Sequence, residues 1–177
     1  MLVDETGLRA RYRKAHLWDR EKADLFTPGS DLPPVVDTAV GRIGLMICYD
    51  LEFPEWVRAV ALNGAELLCA PVNWPLAPAP AGERPTEILK VQVGATVNRM
   101  FIAAADRVGT EAGQEWLGGT VIVGADGFPL TDIQLGTELT VMATTNLADA
   151  RNKATSERNN VQTDRRPELY TAVTRRH

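Results

Sequence analysis

Apolar and polar positions alternate along the first stretch of the chain. Leu2-Val3 leads into Asp4-Glu5-Thr6-Gly7, and Leu8, Ala10, Tyr12, Lys14 and His16 then share one face at period two. The pattern predicts a hairpin with Gly7 at positive φ in its turn. Residues 19–34 hold Pro28-Gly29 and Pro33-Pro34 and predict a loop. Val35-Val36 begins another strand, and Gly41 turns the chain. Ile43-Gly44-Leu45-Met46-Ile47 is nearly continuous in apolar character, as suits a strand buried on both faces. Cys48 stands at the end of that strand. Pro54 suits the first turn of a helix, Val57, Val60 and Ala61 follow at helical spacing, and Gly64 suits the position just past the helix end. Leu67-Leu68-Cys69-Ala70 is the next buried strand. Strand, helix and strand in this order predict a βαβ unit with parallel strands.

Five prolines between positions 71 and 85 predict a long irregular loop after a strand end, where binding loops often lie. Thr86 to Arg99 reads as a helix and Phe101 to Ala105 as a strand. Thr120 to Val123, a turn at Ala125-Asp126-Gly127, and Leu130 to Gln134 read as a second hairpin. Glu138 to Thr144 reads as a final strand, and the polar residues 147–160 as a helix. The segment Arg165-Arg166-Pro167-Glu168-Leu169-Tyr170 is an extended tail that needs a surface to pack on. The whole, residues 1–177, reads as one domain, α/β at first and antiparallel later.

Composition narrows the class. Apolar residues make up 45% and charged residues 24% of the 177, which is globular rather than disordered. The formal net charge is −4, and the basic stretches Arg9–Lys14 and Arg175-Arg176 read as solvated faces, so no nucleic-acid partner is expected. No apolar run reaches the roughly 18 residues of a membrane-spanning helix, so no membrane partner is expected. The N-terminus lacks the basic-then-apolar order of a signal peptide, which points to a cytoplasmic protein. There Cys48 and Cys69 are expected as free thiols. With no Cys-x-x-Cys and only His16 and His177, no zinc site is expected.

On physical grounds alone, a cysteine at a strand end before a helix can be an activated nucleophile, because a helix N-terminus favours the thiolate. It can equally be an inert core residue. Lys14 can be an exposed strand lysine. His16 invites a Cys-His pairing but also suits a structural role. Asn73-Trp74 can line a pocket or only anchor the proline-rich loop. Asp50 and Glu55 suit the turn and the helix start, Asp106-Arg107 an ion pair or polar turn, Cys69 the core, and His177 a disordered end. A redox thiol protein is disfavoured, because no resolving cysteine lies near Cys48.

The residue pattern adds to this. Ile47-Cys48-Tyr49-Asp50 followed by Phe53-Pro54-Glu55 resembles the nucleophile motif of the nitrilase superfamily of carbon–nitrogen hydrolases, and Tyr12-Arg13-Lys14-Ala15-His16-Leu17 resembles its lysine motif. Phe26-Thr27-Pro28-Gly29, Trp116-Leu117-Gly118-Gly119-Thr120 and Arg165 to Tyr170 resemble further family segments in the expected order, so the resemblance runs from Gly7 to about Tyr170. It implies an α/β fold, a four-layer αββα sandwich, and subunits paired through helices near the nucleophile and the C-terminal tail. It implies a Glu-Lys-Cys triad in which Cys48 attacks an amide, nitrile or carbamoyl carbon and passes through an acyl-thioester. Lys14 and the backbone N–H of Tyr49 would stabilise the developing negative charge, and a glutamate would move protons. No metal or organic cofactor is implied.

Two departures qualify the resemblance. The family's general-base glutamate lies far upstream of the lysine motif, and only thirteen residues precede Lys14 here. The chain therefore corresponds to the C-terminal part of the family domain, a nitrilase-like sandwich incomplete at its N-terminus, and by itself is expected to be inactive. Secondly, a further glutamate usually sits shortly before the Pro-Gly of the following loop. Glu21 is the natural match, one residue long in spacing, and Asp24 a poorer one. The alternative to a thiol hydrolase is a non-catalytic remnant, or a truncated reading frame, that keeps the second half of the fold. Coding sequence for a Glu-bearing upstream segment would separate the two.

Overall fold

The structure is a computed structural model, and it describes residues 1–175, with side chains for all of these except Asp24 and Leu25. Its centre is a five-stranded mixed sheet. The strands are β3 (Val35–Thr38), β4 (Gly41–Leu45), β5 (Leu67–Pro71), β6 (Phe101–Ala105) and β9 (Val121–Val123), hydrogen-bonded in that order. β4, β5 and β6 run parallel, as the βαβ pattern requires, and β3 and β9 are antiparallel at the two edges. Helices α1 (Pro54–Leu62) and α2 (Thr86–Asn98) are the two crossovers. A small hairpin, β1 (Leu2–Asp4) and β2 (Gly7–Ala10), precedes the sheet, and another, β7 (Thr110–Glu111) and β8 (Gln114–Glu115), lies between β6 and β9.

Register explains where the core sits. Gly44, Leu68, Ile102 and Val123 are paired across the sheet, and all four are buried beneath the helices. Val57, Val60 and Ala61 of α1 and Ile88, Val91 and Ala95 of α2 cover them. At Gly44 the glycine is needed for close approach: an added Cβ would sit 2.5 Å from Val60 Cγ1. The next row, Leu45, Cys69, Ala103 and Ile122, faces the other way and is only half-buried. The sheet is thus helix-covered on one side, while the apolar opposite side is the one by which sheets join in an αββα sandwich.

Several elements depart from the sequence pattern, each for a physical reason. The strand expected through His16 ends at Ala10, because β1 has only three residues and Leu2↔Ala10 is its last pair. The loop over 19–34 contains one π-helical turn, Glu21–Leu25. After Gly127 the return strand is reduced to one bridge, Val123↔Pro129, and the Leu130 N–H bond to the Ile122 carbonyl, because Pro129 has no N–H to give. Residues 138–144 keep their alternation, with Leu139, Val141 and Ala143 half-buried and Met142 87% exposed, but among the described residues no neighbouring strand pairs with them. The helix expected over 147–160 is only a 3-10 turn, Leu147–Arg151. Beyond it, Asn152, Ser156 and Asn160 side chains bond nearby backbone N–H groups, which competes with helix formation. The tail makes two 3-10 turns, Pro167–Leu169 and Thr171–Thr174, rather than an extended run. His177 and Arg176 lie outside the described residues.

Candidate active site

Cys48 follows β4 and is the first residue of a 3-10 helix, Cys48–Glu52, that leads into α1. Its φ is +47°, a left-handed conformation that costs a non-glycine residue energy and turns its side chain sharply out of the strand direction. Asp50 holds the turn by accepting the Ile47 N–H at 3.2 Å. The sulfur lies 3.8 Å from the Asn73 carbonyl oxygen at the end of β5. Cys48 therefore stands where the parallel strands β4 and β5 end, the usual place for a site in such a sheet.

A cleft of about 230 Å³ opens beside it, lined by Trp18, Cys48, Tyr49, Asn73, Trp74 and Glu87 among others. Of the two readings of Asn73-Trp74, both hold in part. Trp74 is buried and its N–H donates to Asp106 Oδ1 at 3.0 Å, so it anchors the loop, and both residues line the cleft. The Asn73 side-chain oxygen is buried without a hydrogen-bond partner. Trp18, Glu52 and Glu87 complete the cleft from positions that carried no sequence signal.

Lys14 belongs to a segment outside every sheet. Its carbonyl accepts the Gly29 N–H at 2.8 Å, and a Cβ on Gly29 would lie 2.3 Å from the Arg13 carbonyl oxygen. The Pro28-Gly29 pair is thus required by a backbone contact. Lys14 Nζ donates to Glu21 Oε2 at 2.5 Å, and the lysine side chain is only 11% exposed. The same carboxylate oxygen accepts the Trp18 N–H at 2.8 Å. Glu21 opens the π turn Glu21–Leu25, and its carboxylate lies beside Lys14.

Asp50 is completely buried and joins the two parts. Its Oδ2 accepts from the Tyr12 hydroxyl at 2.8 Å as well as from Ile47, and its Oδ1 accepts the His16 N–H at 3.0 Å and meets His16 Nδ1 at 2.8 Å. The His16 ring stacks on Phe53 at 3.8 Å. His16 is therefore partnered away from Cys48, and its role is structural. Burial pushes the Tyr12 hydroxyl pKa up, and Trp56 Nε1–H donates to that oxygen at 3.1 Å.

Charge at Cys48 runs against the expectation of a helix-stabilised thiolate. Burial pushes the thiol pKa above its ordinary value; a backbone hydrogen bond at Asn73 and the Lys14 charge pull it down, while Glu21 and Asp106 push it up. A five-residue 3-10 helix offers little dipole to offset burial. Tyr49, the second residue of that helix, carries an N–H that the helix itself does not use. Cys69 is half-buried in β5, its thiol raised by burial alone.

Of the two readings of Asp106-Arg107, the polar turn holds: Arg107 N–H donates to Asp106 Oδ1 at 2.9 Å. The Asp106 side chain makes no ion pair with Arg107, which bonds Glu111 instead at 2.5 Å. Asp106 binds backbone N–H groups of Trp74 and, at 2.8 Å, Gly119, while Leu117 N–H donates to the Trp74 carbonyl at 2.8 Å. The Trp116–Thr120 motif thus braces the cleft wall. Among the described residues, no group of three His, Cys, Asp or Glu side chains is arranged to hold a metal ion, and no helix is long and apolar enough to cross a membrane.

The model of the carbon-nitrogen hydrolase family matches residues 1–155. The chain belongs to this family. It is 33% identical over 170 residues to a nitrilase of Pyrococcus abyssi, covering 96% of the chain and 62% of that protein. It is 35% identical over 175 residues to a probable nitrilase of Schizosaccharomyces pombe, covering 96% and 59%. A variant of the amidase from Nesterenkonia sp. AN1, with the acetamide moiety of fluoroacetamide attached to its active-site cysteine, superposes with a TM-score of 0.73 at 31% identity. That match covers 91% of the chain and 55% of the amidase. Another variant of the same amidase, in complex with butyramide, gives 0.72 at 28% identity over the same shares. The fold is the nitrilase-like α/β fold, and the chain spans about three-fifths of the curated relatives' length.

Proposed function

We propose that the chain carries the nucleophile half of a hydrolase that cleaves non-peptide carbon–nitrogen bonds in small amides or nitriles. The proposal rests on Lys14, paired with Glu21, whose charge bears on the Cys48 thiol, and on the cleft that Cys48 lines. In an amide, the Cys48 sulfur loses its proton and bonds to the carbonyl carbon. Lys14 and the Tyr49 N–H stabilise the resulting oxyanion. The C–N bond then breaks as the nitrogen takes a proton and leaves as ammonia or an amine. Water cleaves the thioester, giving the acid and restoring the thiol. The cleft's modest volume favours short substrates, and butyramide and fluoroacetamide, seen with the related amidase, are of suitable size.

Glu21 already serves Lys14 and Trp18, so residues 1–177 alone are expected to turn over slowly. The test is ammonia release from a panel of simple amides and nitriles, by residues 1–177 alone and with a glutamate-bearing N-terminal segment supplied. Turnover should rise by roughly 10²–10⁴ with the segment and vanish in Cys48→Ala. Release that survives Cys48→Ala would sink the proposal. Robust, Cys48-dependent turnover by residues 1–177 alone would assign the proton shuttle to Glu21. One observation favours a non-catalytic scaffold as the second reading, namely the burial that keeps the Cys48 thiol protonated.

Two free thiols suit a reducing compartment and support a cytoplasmic location. Self-association is proposed through the groove of about 430 Å³ between α1 and α2, where Leu89, Val93 and Val97 present exposed apolar surface.

A further inference from the structure

The segment that carries Lys14 has no β-ladder to hold it, since β2 ends at Ala10. A lysine on such a segment keeps a fixed position only if other bonds supply one. Its tethers are the Gly29 N–H on the Lys14 carbonyl and a group of bonds that converge on a single side chain. Tyr12 and His16 flank Lys14 at a spacing of two, and both donate to Asp50 from 38 and 34 residues away. The Tyr12 hydroxyl also accepts the Ala15 N–H at 3.3 Å, which ties the residue after Lys14 to the same group. The other bond to Asp50 comes from Ile47, immediately before Cys48. A buried carboxylate is costly unless donors satisfy it. Here the donors come from the two segments that must be aligned.

We propose that Asp50 is a positioning residue of this site: its buried carboxylate fixes the Tyr12–His16 segment, and with it Lys14, against the Cys48 turn. The inference rests on the proposed pairing of Lys14 with Cys48 and adds the residue that maintains it. A filler of helix-start space would need only the Ile47 bond. Asp50 spends one oxygen on Ile47 and Tyr12 and the other on two atoms of His16. The arrangement sets a distance between elements rather than capping one of them.

The test reads the reactivity of Cys48, which does not depend on turnover. Iodoacetamide labelling of residues 1–177 is followed by mass spectrometry across pH, with Cys69 as internal reference. The charged groups that bear on Cys48 are Lys14, Glu21 and Asp106, whereas burial alone acts on Cys69. Lys14→Met should slow Cys48 labelling near neutral pH by about threefold or more, equivalent to half a pKa unit. Asp50 is not among those charged groups, so the direct loss of its charge in Asp50→Asn should leave the Cys48 rate unchanged. If Asp50 positions Lys14, the variant instead slows Cys48, and the double variant is no slower than Lys14→Met alone. Cys69 labelling stays unchanged. Should Asp50→Asn not fold, Tyr12→Phe removes one arm and should slow Cys48 in the same direction by a smaller factor.

A Cys48 rate that rises or holds in Asp50→Asn, while Lys14→Met slows it, would overturn the inference and leave the lysine pairing standing. Parallel acceleration at Cys48 and Cys69 would mean general loosening, and would overturn it as well. A Lys14→Met variant with an unchanged Cys48 profile would instead remove Lys14 from the site, and the inference with it.

Discussion

At the scale of single residues, the site depends on how one thiol is balanced between burial and charge. Burial dominates and holds Cys48 protonated at neutral pH, because its pKa lies above the ordinary value of 9.0. The thiolate fraction, and with it the alkylation rate, should therefore climb about tenfold per pH unit from pH 7 to 9. Cys48 should still label faster than Cys69, which lies within β5 and has no cation acting on it. Glu21→Gln should raise the Cys48 rate, because Glu21 pushes the thiol pKa up and also engages the Lys14 charge. A flat pH profile for Cys48 would contradict the burial argument. In a chain able to turn over, Lys14→Ala should lower kcat by roughly 10²-fold or more with KM little changed, since its work is in the transition state. Near-normal turnover would take Lys14 out of the mechanism. The motifs single out Cys48, Lys14 and Glu21 in the sequence, and the structure pairs the last two. Asp50 was read only as a turn residue, because bonds to Tyr12 and His16 across more than thirty positions leave no local pattern.

At the scale of elements, short loops fix the geometry more than the strands do. Gly29 packs directly on the Arg13 carbonyl, so Gly29→Ala must push the lysine segment away. The cost should be about 1–3 kcal/mol, as for other overpacked contacts. It should appear as a lower thermal midpoint together with a slower Cys48 labelling rate. An unchanged midpoint would mean that the contact relaxes freely. The elements with strong periodicity were legible: α1, β5, α2 and β6 fall where their apolar spacing puts them, while β4, Gly41–Leu45, starts and ends two residues before the apolar run Ile43–Ile47. The missed ones are those whose pattern was right but whose partner was lacking. Residues 138–144 alternate like a strand but find no ladder among the described residues, and Asn152 and Asn160 spend their side chains on nearby backbone N–H groups. Alternation reports which face is wetter, not whether a neighbour is present.

At the scale of the whole molecule, the sheet is covered by helices on one side, and an apolar row of Leu45, Cys69, Ala103 and Ile122 is half-buried on the other. The order of strands and helices was readable as a βαβ unit, and the sandwich followed from family resemblance rather than from periodicity. The exposed apolar residues of α2 are the surface proposed above for self-association. Val93→Asp should shift the protein to a smaller species in light scattering, without altering its circular dichroism. The same species distribution in both proteins would place the contact elsewhere.

The central claim is that Cys48 and Lys14 form one nucleophilic site beside a cleft that admits a small amide. Peptide mapping after brief exposure to fluoroacetamide tests it most directly, because this weak alkylating agent reacts well only when its amide group is held next to an activated sulfur. Attachment of the acetamide group to Cys48, its absence from Cys69, and its slowing by about threefold or more in Lys14→Met are the predicted result. Equal modification of the two cysteines, or modification of Cys48 that persists unchanged without Lys14, would contradict the account.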